Sequence, residues 1–225
     1  MSNPKKASIV VLISGNGSNL QALIDAQSKG LFLGDIQAVI SNKPSAYGLE
    51  RAENANIDAI CVDHTRFDNK SSFELQLIET IDIYQPDIVV LAGFMRILSS
   101  DFVQHYLGKI INIHPSLLPK YKGLHTHRQV LENGDKEHGT TVHFVTAELD
   151  GGPIIAQRRI DVETDDTEQS LVEKIQQQEH QLYPQVVSWI CAGRLKFELD
   201  ANTGAARASL DGKAVDGEVF DGKIL

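Results

Sequence analysis

A chain of 225 residues, 42% of them hydrophobic and 23% charged, has the balance of one large globular domain with a substantial core. Its formal net charge of −9 argues against a nucleic-acid footprint or an anionic membrane surface, and the only basic cluster near the start is Lys5-Lys6. Cys61 and Cys191 form neither a metal spacing nor a disulfide framework, and no apolar run reaches transmembrane length, so a cytoplasmic protein is expected.

Ile9 to Ile13 is an unbroken apolar run, the pattern of a central parallel strand. Ser14-Gly15-Asn16-Gly17-Ser18-Asn19 follows, then Leu20, Leu23, Ile24 and Ala26 at helical spacing. Strand, Gly-rich turn and helix make a phosphate-binding arrangement, because glycines let the backbone approach and a helix start presents free N–H groups. As a dinucleotide fingerprint the match is poor. Leu20 stands at the third glycine position, and Asp35 precedes the second strand, Ile36 to Ile40, instead of ending it. The turn reads as a site for one phosphate and not for NAD; the alternative is a plain tight turn with Ser18 or Asn19 as helix cap.

Ser45 to Asn56 is expected as a short helix, Ala59 to Val62 as a third strand, and Ser71 to Tyr84 as a helix with Phe73, Leu77, Ile78 and Ile81 on one side. Asp87 to Phe94 is a second apolar central strand. Met95-Arg96-Ile97-Leu98-Ser99 is apolar where loops are normally polar, which fits either a pocket wall or packing onto the next helix, Asp101 to Tyr106. From Lys109 the chain is again a buried, β-branched strand, ended by Pro115 and followed by Pro119. Asn112 and His114 are two apart and share one face at its carboxyl end, where open α/β sheets place ligands.

His125-Thr126-His127 leads into a helix ending near Asn133-Gly134. Thr140 to Val145 and Ile154 to Ile160 flank the turn Leu149-Asp150-Gly151-Gly152-Pro153 as an antiparallel hairpin. Thr167 to Ala192 is the longest helix, capped by Thr167, closed by Gly193 and expected to kink at Pro184. Its core stripe is Leu171, Ile175, Leu182, Val186 and Trp189, with Gln176, Glu179 and His180 away from it. After Lys196 come the turn signals Asp211-Gly212, Asp216-Gly217 and Asp221-Gly222. A catalytic domain over residues 1–195 is therefore followed by a tail, 196–225, of short strands or partial disorder without chemistry. The expected fold class is α/β: an open, mostly parallel Rossmann-like sheet, helices on both faces, and the antiparallel hairpin at its edge.

Asn112, His114 and Asp150 form a reactive set if they converge. A carbonyl attacked among them develops an oxyanion that the Asn112 amide stabilises. His114 moves the proton that an attacking amine loses, and Asp150, on its Gly-Gly turn, favours imidazolium and so raises the pKa of His114. No Ser or Cys nucleophile is needed. Histidines are dense from His105 to His143, but His125-x-His127 is not a helical zinc pair and no carboxylate or cysteine supports it, so no metal is expected.

Four stretches carry a resemblance: Ile13 to Gln21, Leu91 to Leu98, Asn112-Ile113-His114-Pro115-Ser116-Leu117-Leu118-Pro119, and Leu149 to Pro153. In that order, over about Ile9 to Leu195, the chain resembles the phosphoribosylglycinamide formyltransferases, folate-dependent enzymes of purine synthesis. The Asn-x-His-Pro motif alone marks only the wider formyltransferase superfamily. The resemblance implies the formyltransferase fold and transfer of a formyl group from 10-formyltetrahydrofolate to the amine of glycinamide ribonucleotide, with small-molecule substrates, no nucleic acid, no membrane and a monomer or homodimer. It implies that Asn112, His114 and Asp150 are catalytic, and that Gly17, Ser18 and Asn19 hold the substrate phosphate. Gln176 and Glu179 match contacts to the ribonucleotide. Met95, Arg96, Ile97 and Leu98 match a folate pocket wall, Asn112 and Thr146 also face the folate, and His125 and His143 support the site. Lys70 stands where the family commonly has Arg near the folate tail, which keeps the charge but loses the bidentate fork. Methionyl-tRNA formyltransferase and formyltetrahydrofolate deformylase are the rival members. The first would bring a basic C-terminal RNA-binding domain and the second an N-terminal regulatory domain.

Overall fold

The computed structural model describes residues 5–201, 203–215 and 217–219. The sheet grows from β1 (Ala7–Ile13), whose apolar residues run in sequence because both of its faces are covered. Ile9, Val11 and Ile13 pack with the apolar sides of α1 (Ser18–Ser28) and α6 (Glu168–Cys191). Val10 and Leu12 point the other way, into Phe73, Leu77 and Ile81 of α3 (Lys70–Asp82) and Phe102 of α4 (Ser100–His105).

β1 pairs in parallel with β2 (Gly34–Ser41) on one side and β4 (Ile88–Leu91) on the other. β3 (Asp58–Cys61) extends the sheet beyond β2, and β5 (Ile110–His114) extends it beyond β4. Strand order thus reverses between β1 and β4, and the loops leaving the carboxyl ends of β1, β4 and β5 open on one crevice. β6 (Glu137–Phe144) lies antiparallel to β5, with Asn112 opposite His143 and His114 opposite Thr141. β7 (Ile154–Asp161) returns antiparallel to β6, and β11 (Glu218–Val219) adds in parallel outside it. Among the described residues the sheet therefore has eight strands in the order β11-β7-β6-β5-β4-β1-β2-β3. The expected hairpin is present, but β11 covers its outer strand. α2 (Gly48–Asn54) sits beside the first loop and α5 (Thr126–Asn133) between β5 and β6.

Several boundaries differ from expectation for local reasons. α2 starts at Gly48, whose N–H is drawn 3.1 Å to the Gly15 carbonyl, so the residues before it serve the loop and not the helix. β6 starts at Glu137 because Glu137, His138 and Gly139 already pair with Asp161, Ile160 and Arg159. Asp35 falls inside β2, where it meets Lys6 at 2.8 Å. α6 continues through Pro184 as one helix. After it, β8 (Leu195–Leu199), β9 (Ala206–Leu210) and β10 (Lys213–Val215) form a three-stranded antiparallel sheet, and Leu195, Ala208 and Val215 join the core below β1. Of the tail's turn signals, Asp216, Asp221 and Gly222 lie outside the described residues. No helix among those described is long and apolar enough to cross a membrane.

Tyr183, fully buried on α6, ties the helix to the working end of the sheet: its hydroxyl donates to the Leu91 carbonyl at 2.9 Å and lies 3.2 Å from that of Ile111. Removing the hydroxyl in Tyr183→Phe is expected to cost about 1–2 kcal/mol of stability. Urea unfolding checks this; an unchanged midpoint would show that the bridge contributes nothing.

Candidate active site

The first loop turns at Gly17, which precedes α1 at φ 74°. A Cβ there would stand 2.9 Å from the Gly48 Cα, so both the dihedral and the close approach require glycine. Neither Ser18 nor Asn19 caps the helix: no side-chain cap bond is made at its start, so the N–H groups of the first turn have no capping side chain. Arg51 of α2 braces the loop, with Nε donating to the Asn16 carbonyl and Nη2 to Asn16 Oδ1, both at 2.9 Å. Ser14 laces the neighbouring loops together: it bonds Asn42, and its Oγ accepts from the Met95 N–H at 2.7 Å.

Asn19 turns away from the loop and donates through Nδ2 to Glu179 Oε2 at 2.9 Å. Glu179 was expected away from the core stripe of α6; instead it is buried, 6% exposed, within that stripe. Desolvation by burial pushes its carboxyl up to about 7, against the opposing hydrogen bonds from Asn19 and Thr140. Gln176, one helical turn away, is exposed. Glu179 Oε1 lies 3.5 Å from Thr140 Oγ1 on β6.

At the end of β5, His114 is buried, and its Nε2 lies 2.8 Å from the Tyr121 carbonyl, so that nitrogen carries hydrogen and donates. Its Nδ1 faces Asp150 Oδ2 at 3.6 Å. Asp150 has φ 47° and is locked by the Gly123 N–H, which donates to Oδ2 at 2.8 Å. The Asp-Gly-Gly turn and the strand-end imidazole therefore do meet. Asn112 joins them through His143: its Nδ2 lies 3.2 Å from His143 Nε2, which in turn is 3.7 Å from Asp150 Oδ1. His143 Nδ1 is 2.9 Å from the Phe144 carbonyl. Desolvation holds the His143 ring below the usual histidine range, so it is neutral, with its proton on Nδ1 and Nε2 accepting from Asn112.

A third group forms a lip. Met95 and Ile97 are 64% and 67% exposed, an apolar edge with no packing partner large enough to hide it. Arg96 lies over the Phe73 ring at 5.8 Å, and buried Glu74 accepts from the Ser99 N–H at 2.9 Å. Lys70 is 3.8 Å from that same carboxylate, so Glu74 links the start of α3 to the residue that follows the Met95–Leu98 loop. Thr146 is half-buried on the β6–β7 connection. His125 is exposed at the start of α5 and contributes no capping bond.

Sequence reasoning missed the backbone groups of Tyr121 and Gly123, which no side-chain pattern announces. It also missed Thr140, a residue without a motif. The dense histidines resolve partly into a pair, His127 Nδ1 to His138 Nε2 at 2.9 Å. Both are pushed below the usual range by burial, His138 to about 4. Among the described residues no group of three or more His, Cys, Asp or Glu is disposed to hold a metal ion.

Comparison with known proteins identifies the family of the whole chain. The formyl transferase family matches residues 7–187. The phosphoribosylglycinamide formyltransferase of Escherichia coli is 58% identical over 193 residues, covering 86% of this chain and 91% of that protein. The trifunctional purine biosynthetic protein adenosine-3 of Bos taurus is 45% identical over 194 residues, 86% of this chain but 19% of that longer protein. The structure of the phosphoribosylglycinamide formyltransferase from Coxiella burnetii superposes with a TM-score of 0.89 at 49% identity, covering 96% of this chain and 99% of the other. The chain belongs to the formyl transferase family, among its phosphoribosylglycinamide formyltransferases.

Proposed function

We propose that this enzyme transfers the formyl group of 10-formyltetrahydrofolate to the amine of N1-(5-phospho-D-ribosyl)glycinamide, a step of purine (IMP) synthesis in the cytoplasm. The observation that carries the mechanism is the meeting of His114 and Asp150 at 3.6 Å beside Asn112. The amine lone pair attacks the formyl carbon, and the carbonyl electrons move to oxygen. Asn112 Nδ2 has two hydrogens; one is engaged by His143 and the other is available to that oxyanion. Collapse breaks the bond from carbon to N10 of the folate. His114 gives its Nε2 proton to N10 as that bond breaks, and the vacated nitrogen then takes the proton lost by the amine. Transfer at Nε2 requires the Tyr121 carbonyl to give way, while Asp150 balances the charge of the ring.

The uncapped start of α1 supports Gly17, Ser18 and Asn19 as the phosphate loop, with Glu179 and Gln176 toward the ribonucleotide. The exposed apolar edge of Met95 and Ile97, with half-buried Leu98 beside it, supports a pteridine wall, closed from the other side by the Thr146–Asp150 turn. Lys70 and Arg96, both on this lip, suit the carboxylates of the folate tail.

His114→Ala and Asp150→Ala are each expected to lower formyl transfer by roughly 10²–10⁴-fold, and Asn112→Ala by roughly 10²–10³-fold. An absorbance assay with 10-formyltetrahydrofolate and the ribonucleotide measures this, and full activity in any of the three would remove that residue from the mechanism. Lys70→Ala is expected to raise the KM for the folate more than it lowers kcat; a loss confined to kcat would place Lys70 in the chemical step instead. Glu179 gives a pH signature. Its folded carboxyl titrates at about 7, above the ordinary 4.5, so the stability it contributes is complete below about 4.5 and is lost as pH rises through 7. Thermal melts of Glu179→Gln should therefore gain on wild type between pH 5 and pH 8. A constant difference across that range would mean Glu179 is ionised throughout.

A further inference from the structure

Thr140 is fully buried on β6 and has no part in the reaction as written above. Its hydroxyl carries one proton and faces two acceptors, the His114 carbonyl at 3.1 Å and Glu179 Oε1 at 3.5 Å. The other Glu179 oxygen takes the Asn19 amide at 2.9 Å. Asn19, Glu179 and Thr140 thus form an unbroken polar path from the Gly-rich loop to the backbone of His114, through an otherwise apolar core. Proton counting gives the path a direction. A protonated Glu179 donates through Oε1 to Thr140 Oγ1, freeing the threonine proton for the His114 carbonyl. An ionised Glu179 competes for that same proton and leaves the carbonyl with the Ser116 N–H, 2.8 Å away.

Taking the Gly17–Asn19 loop as the phosphate site, as argued above, we propose that Thr140 is a positioning residue that couples occupancy of that loop to the setting of His114. A phosphate seated on the loop draws on Asn19, changes the donors around Glu179 and, through the Thr140 hydroxyl, shifts the carbonyl end of His114. Binding of the remote phosphate is then used to align the proton-transferring ring, and a substrate lacking it gains no such alignment. A threonine that merely fills space or steadies β6 would have no connection to Asn19.

A double-mutant cycle separates the two roles. Thr140→Val, close to isosteric, is expected to lower kcat by roughly three- to tenfold, the worth of one buried hydrogen bond, while the KM for the ribonucleotide stays near wild type. In an Asn19→Ala background the same change should add nothing further, and Thr140→Ser should restore kcat. Independent, multiplying losses at Asn19 and Thr140 would overturn the coupling, as would a serine variant no better than valine. In both of those cases wild type still formylates the ribonucleotide. If wild type transfers no formyl group at all, the assigned reaction fails, and the coupling falls with it.

Discussion

The site depends on a carboxylate being folded back over the end of a strand. Asp150 reaches His114 only because the turn that follows it lies flat on β6. At Gly152 any Cβ would stand 1.9 Å from the Phe144 carbonyl oxygen, so that position tolerates hydrogen and nothing larger. Once seated, the turn is held from the opposite side by the Gly123 N–H, and the loop carrying Gly123 also supplies the Tyr121 carbonyl to His114. One carboxylate therefore joins two loops that are far apart in the chain. The placing of Asp150 against His114 follows from that junction and not from the two side chains themselves.

The antiparallel switch between β5 and β6 adds the second element of order. Placing Asn112 opposite His143 lets a neutral imidazole set the direction of an amide. His143 spends its proton on the Phe144 carbonyl, so its other nitrogen can only accept, and Asn112 must present Nδ2 to it. That choice leaves the second amide hydrogen turned outward. A protonated His143 would reverse the arrangement, pushing the amide away and turning toward Asp150. Burial prevents this by keeping the ring below the usual histidine range.

Much of this was readable from residue order. The double-faced burial of β1 follows from five consecutive apolar residues, the glycine requirement at the first loop from the strand–turn–helix pattern, and the shared face of Asn112 and His114 from a spacing of two. The burial of Glu179 was missed because apolar residues alone defined the stripe of α6. Yet Ile175, Glu179, Leu182 and Val186 follow helical spacing, so the carboxylate's burial was present in the periodicity. The pairing of β11 with β7 and the entry of Ala208 and Val215 into the core were not legible, since such contacts join residues distant in sequence and depend on register. Asp150 meeting His114 was an inference from the turn's flexibility; what holds it there, the Gly123 N–H and the close seating at Gly152, has no side-chain pattern to announce it.

Charge creates a problem that burial resolves. A chain of net charge −9 repels an anionic substrate at long range, and a carboxylate close to the proposed phosphate loop would add repulsion where it matters most. Near the loop the balance is different. The free N–H groups at the start of α1 and the Arg51 guanidinium braced on Asn16 supply positive potential within a few ångströms. Glu179, the acidic residue bonded directly to the loop through Asn19, is desolvated until its carboxyl titrates at about 7, and so it sheds much of its charge near neutral pH. The same burial that makes Glu179 costly to ionise suits it as a hydrogen-bonding neighbour of the proposed phosphate site. A solvent-exposed carboxylate at that distance would oppose the phosphate proposed for the loop.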